Sequence, residues 1–329
     1  MYMNLNMNDH KKQAKMQKNH EKASNLSDLT QYYKQKSLKI AQIYTELGDY
    51  KRAEKMINCG NYLVFYECPA HCERFLKHGF FCKQRFCPAC ASRRSRIFKR
   101  DTIKILDYIL ERNKNQQFIF ATVTQENVHG AELPGHITAV LAGWSKLRRR
   151  RQFDRAFKGW IRALEITHNA DRNDYHVHIH MILQTSPGYF NGADYISHER
   201  LMTMWQESMT LDYEPNVDIR AIYSKDGERA EEKAVKETMK YVMTFSNIRD
   251  GEVLQDLTTA LKKRQCIAYG GELAKIKRIL KIQDVESDKV DFSDDPHGRK
   301  CTHCDTNYKV IMERWDYGAN KYVATELTD

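Results

Sequence analysis

Between Asp174 and Leu183 the chain reads DYHVHIHMIL, with imidazoles at His176, His178 and His180 and apolar residues between them. This period of two dictates a strand, because successive side chains of a strand point to opposite faces. The three histidines therefore share one face, while Val177 and Ile179 point the other way, toward a core. FIFATVTQENV (118–128), IRALEITH (161–168) and VDIRAIY (217–223) also read as strands. The link NADRND is rich in turn formers, so 161–168 and 174–183 are expected to pair as an antiparallel hairpin. Helical spacing predicts helices over 88–113, 135–151, 195–209, 228–246, 251–263 and 271–282. Strands and helices in this order specify an α+β fold, a central antiparallel sheet flanked by helices.

The organisation expected along the 329 residues has four parts. Residues 1–55 form a polar basic tail with one surface helix, and 56–115 a cysteine-rich, zinc-binding N-terminal module with a basic helix. Residues 116–250 hold the sheet, and 251–329 hold C-terminal helices and a short β-rich tail. Lys and Arg exceed Asp and Glu by 53 to 43, a surplus that favours an anionic partner such as nucleic acid. No apolar run approaches the roughly 18 residues of a membrane span, and the N-terminus lacks the apolar stretch of a secretory signal. A cytoplasmic protein with no membrane partner is expected. In a reducing compartment the clustered ones among its nine cysteines read as metal ligands before disulfides, while Cys266 reads as core.

Three imidazoles in register suit a divalent metal. Glu165, on the strand before them, can bring a carboxylate to the same face. A mixed His/carboxylate set suits Mg²⁺ or Mn²⁺ and leaves positions open for a phosphate oxygen. KAVKETMKYVMTF places Glu237 and Tyr241 four apart on one helical face, with Lys240 beside them. Tyrosine becomes a covalent catalyst where a cation stabilises the charges at its oxygen.

Cys82, Cys87 and Cys90 have the spacing C-x₄-C-x₂-C, and a C-x₂-C pair is the usual half of a tetrahedral zinc site. Cys59, Cys68 and Cys72 lie upstream, with His71 and His78 close by. Cys59 can join Cys82, Cys87 and Cys90, or Cys68 and Cys72 can join Cys87 and Cys90. Cys301 and Cys304 form another C-x₂-C that can complete a second site with Cys68 and Cys72. Arg93, Arg94, Arg96, Lys99 and Arg100 follow directly on one helix, a basic platform for DNA-backbone contact. KLRRRR (146–151) reads as a solvated helix face, since four consecutive cations cannot all face one groove.

Four motifs now stand in order: FFCKQRFCPACASRR (80–94), FATVTQENV (120–128), YHVHIHMIL (175–183) with LEIT upstream, and ETMKY (237–241). Together they resemble the rolling-circle replication initiators (Rep proteins) of small bacterial plasmids in the HUH endonuclease superfamily, in the branch found on small staphylococcal-type plasmids. The resemblance spans residues 59–245 and makes 116–250 the nicking domain. It implies that His178 and His180 are metal ligands, with Glu165 the third and His176 an alternative. It implies that Tyr241 attacks the scissile phosphodiester, leaving a 3′-OH for polymerase and a 5′-phosphotyrosine link. Glu237 would activate water for the terminating cleavage and joining. The zinc set it favours is Cys59, Cys82, Cys87 and Cys90. Its partners are plasmid origin DNA, double-stranded for recognition and single-stranded at the nick, with a host DNA polymerase. A host helicase is also implied, since the chain has no G-x₄-G-K-[ST]. Thr244 stands where family members usually carry a further Lys. Two other readings are a non-enzymatic zinc-dependent DNA-binding regulator, in which the histidine strand is structural, and a relaxase or transposase of the same superfamily.

Overall fold

The computed structural model describes residues 29–70, 73–222, 248–294 and 300–326. In chain order it has α1 (29–46), α2 (Tyr50–Asn58), β1 (Tyr62–Glu67), β2 (Arg74–Gly79) and α3 (Pro88–Arg112). There follow β3 (Phe118–Thr124), α4 (Leu133–Leu147), α5 (Arg151–Ala156), β4 (Phe157–Asn169), β5 (Asp174–Thr185), α6 (His198–Met209) and β6 (Val217–Ala221). The chain then forms α7 (Gly251–Ala260), β7 (Ile267–Gly270), α8 (Gly271–Ile279), β8 (Lys309–Asp316) and β9 (Lys321–Glu326). The helix expected over 228–246 lies outside the described residues, and with it Glu237, Lys240, Tyr241 and Thr244. Among the described residues no helix is long and apolar enough to cross a membrane.

The fold is α+β, with two antiparallel sheets and flanking helices. The chain divides into two units: described residues up to Arg93 with those from Asp291 onward, and Arg94–Val290. In the second unit the strand order is β6-β3-β5-β4-β7, so the histidine strand β5 is central. The β4–β5 hairpin forms as the sequence predicts. Its turn closes because the Asn169 Oδ1 accepts from the backbone N–H of Asp171 (2.9 Å) and Arg172 (3.1 Å). Asn173 takes the left-handed conformation, φ 49°, that Asn tolerates.

Val177, Ile179, Met181 and Leu183 are fully buried on the face of β5 opposite the histidines. Burial of each is worth about 1.5–3 kcal/mol, which pins the register, since a slip of one residue would bury the imidazoles instead. This face is covered by α4, where Trp144 meets Trp160, the register partner of Leu183, edge-on at 5.0 Å. Among the described residues, the histidine face is covered at its other end by an apolar row. There Ile161, Ile182 and Phe120 form a row across β4, β5 and β3. Tyr269, opposite Ile161, meets Phe98 of α3 at 6.4 Å.

The helix predicted over 135–151 is two helices. The chain leaves α4 at Arg148, and Arg150 turns to α6, donating to Ser208 Oγ at 2.9 Å and pairing with Glu207. β7, four residues ending in Gly, is too short to carry a periodic signal. It runs directly into α8 at Gly271, whose φ is +58° and where a Cβ would lie 2.1 Å from Lys158 O.

In the first unit the order is β2-β1-β8-β9, with Leu63, Phe65 and Leu76 packed against Phe81 and Tyr322. Arg74 bridges Glu67 (3.2 Å) and Glu313 (2.6 Å) across the three strands and lies over the Phe65 ring. Instead of one surface helix, residues 29–58 form α1 and α2, with Lys34, Ile40, Ala41, Tyr44, Ala53 and Met56 buried. The many lysines of this stretch mask that apolar stripe in composition.

Candidate functional site

Register builds the site. Thr122, His180 and Ala163 form one row across β3, β5 and β4, and Thr124, His178 and Glu165 form the next, all on one sheet face. His180 Nε2 lies 2.8 Å from Glu165 Oε2, and His178 Nδ1 lies 3.7 Å from the same oxygen. One donor atom from each of the three lies within 4.8 Å of the others, a spacing that can hold a metal ion. Glu165 and His180 side chains are 7% and 5% exposed and His178 is 20% exposed, so the cluster opens to solvent on the His178 side.

A carboxylate this buried needs a compensating positive charge. Among the described residues the side chains closest to its Oε2 are the two imidazoles, and a bound cation would supply that charge. Burial, with the neighbouring imidazoles of His176 and His180, pushes the His178 pKa down to about 3. The ring is therefore neutral and keeps a lone pair for a cation. The donor chemistry thus fits a divalent ion held by two nitrogens and one oxygen with further positions free.

His176 stands one step outside this cluster, with its Nδ1 2.9 Å from His178 Nε2. Sequence reasoning missed Thr122. Its Oγ1 hydrogen-bonds His180 Nδ1 at 2.9 Å, fixing which nitrogen faces Glu165. The signal was the period-two pair Thr122 and Thr124, which shares the histidine face. The rest of that segment holds the start of β5. Asn127 donates to Asp174 Oδ1 at 2.8 Å, Val128 and Tyr175 exchange backbone bonds, and Tyr175 donates to Asp256 of α7.

A second cluster lies in the first unit. The Sγ atoms of Cys59, Cys82, Cys87 and Cys90 lie within 4.8 Å of one another and can hold a metal ion. Neighbouring sulfurs are 3.5–3.7 Å apart and form no disulfide. Zn–S bonds of about 2.3 Å in a tetrahedron give an edge of about 3.8 Å. Backbone N–H groups of Cys82 and Lys83 donate to Cys59 Sγ (3.4 Å) and Cys90 Sγ (3.2 Å), and Ser37 Oγ lies 3.4 Å from Cys87 Sγ. Lys34, 0% exposed, donates to Ile57 O, Cys59 O and Asn61 Oδ1 at 2.6–2.8 Å. Burial pulls its pKa down to about 8 against the opposing pull of Cys59, Cys87 and Cys82. Cys68 is not in this group; it lies with Cys301 and Cys304, and Cys72 is outside the described residues.

The five cations of α3 do not make one exposed row. Arg93 and Arg94 are 6% and 4% exposed. Arg93 pairs with Asp294 at 2.9 Å and donates to Phe292 O, so it anchors the C-terminal segment. Both arginines lie one helical turn from Ile97 and Phe98, on the buried stripe. Arg96 and Lys99 are half-buried, and Arg100 is exposed and paired with Asp101.

The family model described as "Replication protein" matches residues 73–323. A "Protein rep" of Streptococcus pneumoniae is 34% identical over 266 residues, covering 79% of this chain and 82% of that protein. A "Protein rep" of Lentilactobacillus hilgardii is 30% identical over 288 residues, with 85% and 90% covered. A "Replication protein" of Staphylococcus aureus is 27% identical over 232 residues, 68% of this chain and 97% of its own length. No solved structure matches.

Proposed function

This chain belongs to the Rep family of replication proteins, initiators of plasmid replication, and on that premise we propose that it nicks and rejoins single-stranded origin DNA through a tyrosine. The observation that carries the reading is the open-sided cluster of Glu165, His178 and His180 on adjacent strands. Bound there, Mg²⁺ or Mn²⁺ would neutralise charge on the scissile phosphoryl group. Thr122 holds His180 in the required orientation, and neutral His178 offers its lone pair. Tyr241 Oη bonds to phosphorus as the P–O3′ bond breaks, and the phenolic proton leaves with the 3′-oxygen as a 3′-OH. The 5′ side remains as a phosphotyrosine ester. At the terminating cleavage Glu237 takes a proton from water as the water oxygen bonds to phosphorus and the P–O3′ bond breaks, and that proton goes to the departing 3′-oxygen, a general-base role worth about 10²–10⁴-fold in rate. Rejoining is the reverse attack of a 3′-OH on the phosphotyrosine. His176 is the alternative ligand, and Lys240 with the accessible cations of α3, Arg96, Lys99 and Arg100, contacts the DNA backbone.

Cys59, Cys82, Cys87 and Cys90 hold a structural Zn²⁺ in this reading, with Lys34 offsetting the negative charge of four thiolates. Host helicase and polymerase supply unwinding and synthesis. The test is incubation with labelled origin oligonucleotides and Mn²⁺. A covalent adduct is expected from the native chain and none from Tyr241→Phe, with origin binding retained within a few fold. Cleavage by Tyr241→Phe would overturn the assignment. Binding without cleavage by the native chain would favour a zinc-dependent regulator.

A further inference from the structure

Cys68 follows β1, and Cys301 and Cys304 precede β8; Cys68 and Cys304 are 236 positions apart, yet their sulfurs lie 3.3 Å from each other. The three Sγ atoms lie within 4.8 Å of one another, with Cys68 and Cys301 buried. A 3.3 Å separation is well beyond the roughly 2.05 Å of a disulfide, and the cysteines are free. The C-T-H-C segment is already wound as a ligand loop. Cys301 N donates to Thr306 O (2.8 Å), Asp305 N donates to Cys301 O (2.9 Å), and Asp305 has φ 56°. The backbone N–H of His303 points at Cys301 Sγ at 3.4 Å. Thr306 Oγ1 lies 2.8 Å from Cys304 Sγ and 3.6 Å from Cys68 Sγ.

We propose that Cys68, Cys301 and Cys304 bind a second zinc ion, separate from the Cys59/Cys82/Cys87/Cys90 cluster, which clamps the β1–β2 turn to the segment entering β8. Three sulfur donors select a thiophilic ion over Mg²⁺ or Mn²⁺. A tetrahedral ion has one further position. His303 and Glu73 flank it: they are paired at 2.7 Å, and their donor atoms lie within 4.8 Å of the Cys301 sulfur. Glu73 also accepts from Thr302 and Tyr308, so the carboxylate orients the loop as outer-shell groups do at metal sites. The clamp has a mechanical reason. The β1–β8 seam pairs residues 62–67 with 309–314, and closing so long a loop is entropically costly.

The experiment uses the full chain in reducing buffer, after mild EDTA has emptied the open Glu/His site. Native mass spectrometry should find two zinc ions per chain, and Cys301→Ser with Cys304→Ser should leave one. In the unmodified protein, alkylation of Cys68, Cys301 and Cys304, mapped by peptide, should be about tenfold or more slower than after a strong chelator, because a thiolate must leave the metal to react. That readout stands even if the double variant fails to fold. A single zinc in the native chain, an unchanged count in a folded double variant, alkylation indifferent to chelator, or a Cys68–Cys304 disulfide would each overturn the proposal.

Discussion

A single hydroxyl decides which nitrogen of His180 faces Glu165. Replacing Thr122 by Val keeps its shape and its place in β3 but removes the bond to His180 Nδ1. Loss of such an outer-shell partner typically weakens metal affinity 10–100-fold. The Mn²⁺ concentration for half-maximal nicking should rise by that factor in Thr122→Val, while thermal stability stays near native. An unchanged Mn²⁺ dependence would remove Thr122 from the site. Lys34 sets the same kind of test in the first unit. Lys34→Met buries similar volume but strands the carbonyls of Ile57 and Cys59 and Asn61 Oδ1. Leaving a buried acceptor without its donor costs about 1–3 kcal/mol. A lower unfolding midpoint and faster zinc release to a chromogenic chelator are expected together. A fall in stability with no change in zinc release would make Lys34 a helix anchor only.

Among the described elements, the passage from β7 into α8 leaves no room for a side chain. At Gly271 a side chain meets both a left-handed φ and the Lys158 carbonyl. A left-handed non-glycine residue costs about 1–3 kcal/mol, and the overlap adds to it. Gly271→Ala should therefore lose more than that range in urea denaturation. Gly135, inside α4 with nothing within 4 Å of an added Cβ, should gain about 0.5–1 kcal/mol as Ala, because alanine is the better helix former. Equal effects at the two positions would contradict the backbone described here. The hairpin that presents the histidines takes its left-handed residue from Asn173 rather than from glycine. Its turn residues and its alternating pattern agree, so β4 and β5 were legible from residues alone.

For the whole molecule, the two kinds of metal site predict two kinds of metal loss. Mild EDTA should stop nicking with the fold intact, and Mn²⁺ should restore it, because the Glu/His cluster is open on one side. Stripping zinc with a thiol reagent should unfold the first unit. Structural zinc is worth about 10–16 kcal/mol in zinc-finger peptides, comparable to the stability of a whole domain. Circular dichroism and nicking assays on one sample separate the outcomes. Simultaneous loss of fold and activity under mild EDTA would assign a structural role to the histidine cluster.

The amino-acid sequence by itself determined whatever depends on neighbours a few positions away. The shared face of His176, His178 and His180, the turn at Asn169 to Asn173 and the start of α3 at Pro88 follow from local periodicity and backbone preference. Spacing likewise put Cys87 and Cys90 in one cysteine cluster. Only the tertiary structure decided which distant segments meet. It set Glu165 opposite His178 in register, Cys59 beside Cys90, and β8 against β1. It also turned Arg93 from a cation available to DNA into the partner of Asp294. These pairings depend on burial and on strand partners far along the chain, and no local pattern encodes them.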